Sequence, residues 1–136
     1  MLKTSITLPA ANPATARVLE DLGATSINLP VDLSLAQIAA IRQAIDVAID
    51  FYVESPDDFG GAVRHYEIPE LVRVAAPIYL KFGLRNSPGL YPSGQHQEGL
   101  VLALSRERVR RAAIGLGILR RYAPEAVASP LGVATR

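Results

Sequence analysis

The sequence predicts an α/β fold of four consecutive strand–helix units, a parallel sheet covered by helices that amounts to half of a TIM-type (β/α)8 barrel. Three observations carry that prediction. The pattern Ser-Ile-x-Leu-Pro occurs twice, as SITLP from Ser5 and SINLP from Ser26, 21 residues apart. A third strand-like run, VAIDFYVE, begins at Val47, a further 21 residues on. Each run is followed by a segment with helix-start signals and apolar residues at helical spacing.

The first unit pairs a strand over 5–9 with the helix NPATARVLEDLGA, in which Asn12 is the N-cap, Pro13 the first helical residue and Gly23 the C-terminal stop. The second pairs a strand over 26–31 with SLAQIAAIRQAI. There Ser34 and Gln37 have capping-box spacing, and Leu35, Ile38, Ile41 and Ile45 form the apolar stripe. The third strand spans 47–54 and leads through the loop SPDDFGGAVRHYE to a helix opened by Pro69. The fourth strand covers 77–83 and is followed by the loop LRNSPGLYPSG, which has the glycine content of a lid. A short helix, HQEGLVLAL, and a longer arginine-rich helix from Ser105 to Tyr122 complete a domain over 1–122, and 123–136 reads as a flexible tail.

Alternation within the strands separates two faces. Ile6 and Leu8, Ile27 and Leu29, Ile49, Phe51 and Val53, and Ile78, Leu80 and Phe82 belong to the face that meets the helices. The opposite face carries Ser5, Thr7, Ser26, Asn28, Asp50, Tyr52, Glu54, Tyr79 and Lys81. A purely structural barrel interior is built from branched apolar side chains, so this polar face has two readings. Either its charges neutralise one another on a paired or wet surface, or it forms a ligand or active site at the strand C-termini.

On the second reading Glu54, Lys81 and Asp50 are the candidate catalytic residues. Glu54 serves as general acid or base, and Lys81 stabilises negative charge or tunes Glu54. Asn28, Tyr52, Tyr79, Arg85 and Asn86 are the candidate substrate-binding residues, with Arg85 placed to orient an anionic or carbonyl-bearing group. Asn12 and Asp32 beside Ser34 read as helix-cap chemistry more readily than as ligand contacts. Asp57 and Asp58 with Glu54 have the donor type for a hard cation, but Pro-Asp-Asp-Phe-Gly-Gly is also turn chemistry, and no metal site is assigned. His65 and His96 lack a ligand partner at metal-binding spacing, and the sequence holds no nucleophile elbow, Walker loop or dinucleotide fingerprint.

Composition narrows the function classes. The 136 residues are 49% hydrophobic, sufficient for a buried core in one domain. Cysteine is absent, which excludes disulfides, a thiolate nucleophile and cysteine-held clusters within this sequence, and fits a cytoplasmic location. No run approaches a membrane span, and the N-terminal residues lack the apolar core of a secretion signal. Residues 1–98 hold 7 basic and 11 acidic side chains, residues 99–136 hold 7 and 2. The basic excess lies in a helix without interleaved aromatics, which fits a solvated face better than a nucleic-acid surface.

The stretch LEDLGATSINLPVDLSLAQIAAIRQAIDVAIDFYVES resembles the collagenase-like peptidases of unknown catalytic type, peptidase family U32. The shared features are a Leu-Gly helix end, a strand, a Leu-Ser-Leu-x-x-Ile helix, an Ile-Arg turn and a strand rich in Val and Phe. NPATARVL, EIPELVRVAAP, KFGLRN and YPSG resemble the longer actinobacterial members, so the likeness extends over roughly residues 5–121 and implies the C-terminal half of a barrel domain. Better-known members continue the third strand into His-Gly-Ala-x-Cys and carry further cysteines, some holding an iron–sulfur cluster. Here VESPDDFGG occupies that place, so no catalytic or cluster residue carries over and the cofactor stays unknown. The resemblance implies a hydrolase or small-molecule enzyme acting at the strand ends. The alternative is a non-catalytic ligand-binding or assembly subunit, completed by a second copy or a complementary half-barrel because a half-barrel leaves its edges open. The expected ligand is a small molecule or peptide.

Overall fold

A computed structural model of the chain describes residues 2–92 and 94–130. Four α-helices and three strands alternate along it: α1 (Pro13–Asp21), β1 (Ser26–Asn28), α2 (Leu35–Ala44), β2 (Ala48–Glu54), α3 (Ile68–Ala75), β3 (Ile78–Phe82) and α4 (Glu98–Tyr122). The strands form one parallel sheet in the order β1-β2-β3.

The helices start where their cap residues place them. Asn12 Oδ1 accepts from the Thr15 amide at 2.9 Å, with Pro13 opening α1. The capping box of α2 is complete: the Gln37 amide donates to Ser34 Oγ, and the Ser34 amide to Gln37 Oε1. After α2, Arg42 donates to the carbonyls of Ile45 and Val47, while Glu20 of α1 accepts the Asp46 and Val47 amides at 2.7 and 2.9 Å. Two helices thus hold the N-terminal end of β2 in place.

The predicted strand over 5–9 does not form. Residues 2–4 lie beside β1 instead, with Lys3 bridged in parallel to Ser26, the Thr4 amide donating to Ser26 O and the Thr25 amide to Leu2 O. Ser5 to Leu8 turn away, closed by Leu8 N–H to Ser5 O at 3.0 Å. The cause is local chemistry. Ser5 Oγ accepts from both the backbone amide and the hydroxyl of Thr7, a side-chain bond that competes with a ladder, and Pro9 has no N–H to extend one. Leu8, expected against the helices, is consequently exposed.

The second departure is at the C-terminal end, where the two predicted helices are one. A short 3-10 turn over Gln95–Gln97 runs into the 25-residue α4, and Ser105 lies inside it. Leu, Ala, Arg and Glu around Ser105 propagate a helix through a residue that would otherwise cap one. Residues 123–130 carry neither helix nor strand; the remainder of the predicted tail, 131–136, lies outside the described residues, as does Ser93 in the predicted lid.

The core lies between sheet and helices. Ile27, Leu29, Ile49, Phe51 and Val53 of the strand segments pack with Ile38 and Ile41 of α2 and Ile68 and Leu71 of α3, all fully buried. The apolar strand face therefore meets the helices over β1 and β2, and Ile78, Leu80 and Phe82 of β3 join it while partly buried. Helix α4 reaches β3 through Gly115, where a Cβ would lie 2.7 Å from Phe82 Cζ and 2.8 Å from Ile68 Cδ1.

Candidate functional site

Pleating places Ser26, Asn28, Asp50, Tyr52, Tyr79 and Lys81 on the sheet face opposite the core, and register brings them into rows. Asn28, Asp50 and Tyr79 are aligned across the three strands, with Tyr52 and Lys81 in the next row toward the strand C-termini. Asp50 is the charge at the centre. It is 1% exposed, accepts from Ser26 Oγ at 2.5 Å and lies 3.4 Å from Lys81 Nζ. Lys81 keeps about a third of its side chain in solvent and sits 5.5 Å from the Tyr52 ring centroid. Lys3, beside β1, lies 4.1 Å from the centroid of Tyr79. Two cations, two phenol rings and one buried carboxylate thus share a surface.

Asn28 is 1% exposed. Its backbone amide donates to Thr4 Oγ1 at 2.8 Å, whereas its side-chain Oδ1 is buried without a hydrogen-bond partner among the described residues. A buried amide oxygen normally has a donor, because an unmet acceptor carries a desolvation cost of about 1–3 kcal/mol.

Glu54 is not part of this surface. The pairing of β2 with β3 shifts register between Tyr52, opposite Lys81, and Glu54, opposite Phe82. Such a bulge interrupts alternation and re-aims the side chain beyond it. The Glu54 carboxylate meets His65 Nε2 at 2.9 Å, Arg111 Nη1 of α4 at 2.9 and 3.1 Å, and the Arg85 amide at 3.2 Å. His65 is edge-on to Phe82, with ring centroids 5.6 Å apart. The expected coupling of Glu54 to Lys81 is therefore replaced by two separate acid sites: Asp50 with Lys81 on the polar face, and Glu54 with His65 and Arg111 beneath α4.

Arg111 is also bound to Glu107 one helical turn earlier, at 2.7 Å. That hydrogen bond, followed by the charge of Glu54, raises the Arg111 pKa. The same bond holds the Glu107 carboxyl below its ordinary range. Glu107, Arg111, Glu54 and His65 form a chain of charge-assisted contacts from the α4 surface to the end of β2.

Arg85 and Asn86 lie on the rim, as the sequence suggests, but face Asp57. The Asn86 amide donates to Asp57 Oδ2 at 2.7 Å, and Arg85 Nε lies 3.4 Å from Oδ1. Asp57 thereby ties the loop after β2 to the loop after β3. With Glu54 turned to His65 and Asp57 taken up by this contact, the three acids considered for a cation are not gathered, and no group of three or more His, Cys, Asp or Glu suited to a metal occurs among the described residues.

Sequence reasoning missed His65, Arg111 and Lys3. His65 follows Glu54 by 11 residues in a loop without periodicity, and Arg111 is one of several similar arginines 57 residues away. Neither spacing has a local signature. Lys3 was hidden because the predicted strand over 5–9 does not form and the chain bridges to β1 at Lys3 instead.

No helix among the described residues is long and apolar enough to cross a membrane. No curated protein and no solved structure matches the chain. Residues 2–55 match the model of peptidase family U32, a segment that begins beside β1 and ends one residue after Glu54. It holds Ser26, Asn28, Asp50 and Glu54 and stops short of His65, Lys81 and Arg111, so the chain is similar to that family over its first two strands and the acids they carry.

Proposed function

We propose that this chain is a peptidase U32-like (β/α) module, half of a TIM-type barrel, that binds a small polar molecule or peptide on the inner face of its strands. The observation that carries the reading is the buried Asn28 Oδ1, without a partner among the described residues, at the position paired with Asp50. A face serving only as structure gains nothing from an unmet acceptor, whereas a ligand N–H or O–H supplies the missing donor. Asp50 and Lys81 offer one acceptor group and one cation in adjacent rows, 3.4 Å apart, with Tyr52 and Tyr79 as flanking rings. Glu54 belongs to the scaffold: three donors already engage it.

The edges of β1 and β3 complete the argument for an assembly role. Among the described residues the outer edge of β1 meets only the short segment around Lys3, and open parallel edges are templates for further pairing. A second copy or a complementary half-barrel closes the inner face and brings the remaining wall of the site.

Hydrolysis is the second reading, favoured by the match of residues 2–55 to a family named for peptidase activity. In that case Asp50, oriented by Ser26 and Lys81, is the group able to accept a proton from water attacking a carbonyl.

One variant tests the binding reading. Asn28→Leu removes an unmet acceptor and should leave thermal stability equal or raised, while abolishing the thermal shift produced by any metabolite or short peptide that stabilises the parent chain. Retention of that shift in Asn28→Leu overturns the site. Lys81→Met is the companion: a structural face loses on the order of 3 kcal/mol as Asp50 loses its cation, and a binding face loses the ligand response as well.

A further inference from the structure

Three segments meet beyond the C-terminal ends of β1 and β2: the turn after the Lys3 bridge, the loop following β1 and the loop following β2. They line an open cleft of ≈ 570 Å³ with apolar walls that include Ile6, Pro30, Val31 and Phe59. The charged residues on its lining are Asp32 and Asp58. Both are exposed, and neither has a hydrogen bond or ion pair among the described residues. The neighbouring charges are already committed. Asp57 is held by Arg85 and Asn86, and Arg64 donates to the Val31 and Leu33 carbonyls and to Glu67. Nothing within the cleft neutralises its two carboxylates.

Its walls are set in advance. Gly60 takes φ +96°, and a Cβ there would lie 3.1 Å from Val31 Cγ2, so the two loops approach through the one residue type that permits both the conformation and the contact. The Arg64 bonds to Val31 and Leu33 fix the same loop from the other side.

From this combination we infer that the cleft takes a cation on an aliphatic stem, the side chain of a lysine or arginine within a peptide. The methylenes cover the apolar walls and the head group meets Asp32 and Asp58. Charge complementarity selects this occupant: a neutral apolar side chain leaves both carboxylates unmet, and an acidic one is repelled. The inference rests on the reading that the strand C-terminal end is the working end of the module, and adds to it the class of side chain recognised there.

Binding of three blocked tripeptides to the full chain, followed by NMR titration, tests the inference: Ala-Lys-Ala, Ala-norleucine-Ala and Ala-Glu-Ala. The lysine peptide is expected to bind, with shifts at Val31 and Phe59, and to weaken as salt is raised. Asp32→Asn and Asp58→Asn should each weaken it about two- to fivefold, the range for exposed charge pairs, and Asp46→Asn should leave it unchanged. Shifts confined to Val31 and Phe59, with none at Asp50 or Tyr79, separate the cleft from the inner face. Equal affinity for the lysine and norleucine peptides overturns the inference, as does indifference to both aspartate variants, shifts centred on Asp50 and Tyr79 instead of Val31 and Phe59, or no shifts with the lysine peptide up to about 10 mM.

Discussion

Glu54 and Asp50 are four residues apart on one strand, both 1% exposed, yet their surroundings assign them different work. Glu54 has His65, Arg111 and a backbone amide as donors; Asp50 has a serine hydroxyl and one half-exposed lysine. Glu54→Gln should therefore cost about 2–4 kcal/mol of unfolding free energy, since it removes the charge that two buried or half-buried donors share, with the lower end set by solvent around Arg111. Urea denaturation measures it. A neutral or stabilising effect would instead mark Glu54 as a residue held for chemistry. Glu107 gives a pH prediction. Its bond to Arg111 depresses its folded-state pKa below the ordinary 4.5, so its contribution is present above that value and fades as pH falls through the folded pKa. Glu107→Gln should flatten the acid limb of the stability curve between neutral pH and pH values below 4.5, and an unchanged limb would show that the bond adds nothing in solution.

Among the elements, α4 and the end of β3 are fitted by glycine. A Cβ on Gly83 would lie 2.6 Å from Pro56 Cδ and 2.9 Å from the Glu54 carbonyl oxygen, and its amide donates to that oxygen at 2.7 Å. Gly83→Ala should push the loops after β2 and β3 apart and cost about 1–3 kcal/mol by overpacking. Because the displaced loop after β2 carries Asp57, loss of the Arg85–Asp57 and Asn86–Asp57 contacts should accompany the loss of stability, visible as increased amide exchange at Asn86. Gly115→Ala should carry a similar cost, read as lower unfolding free energy, since α4 can no longer approach Phe82 and Ile68. Normal stability in either variant would show that the neighbouring side chains yield freely.

For the molecule as a whole, the three-stranded sheet has one side filled by helices and the other lined by Lys3, Asp50, Tyr52, Tyr79 and Lys81. Among the described residues its two outer strands have little or no pairing beyond the sheet. The expected outcome in sedimentation velocity is a species of at least two chains, with charge substitution on the inner face, such as Tyr79→Glu, shifting it toward the single chain. A compact single chain at every concentration would mean that the open face is stable in water and that the module works alone.

How much of this was legible in the sequence depends on the range of the physics. Caps, apolar stripes and strand alternation are set by neighbours within a turn or two: Asn12, the Ser34–Gln37 box, and the burial of Ile27, Ile49 and Phe51 follow from spacing alone. The parallel, sequential sheet follows from strand–helix units at short, even spacing, and the polar face with Asn28, Asp50 and Lys81 from the alternation within the strands. What alternation could not reveal was where it stops. The Ser5–Thr7 hydrogen bonds kept the predicted first strand from forming, leaving one bridge at Lys3 beside β1, and the bulge before Glu54 turned that carboxylate from Lys81 toward His65 and Arg111. Those outcomes depend on contacts between residues as far as 57 positions apart, so the sequence by itself determined which groups are available and on which strands, and the tertiary packing of α4 over β3 decided which of them meet.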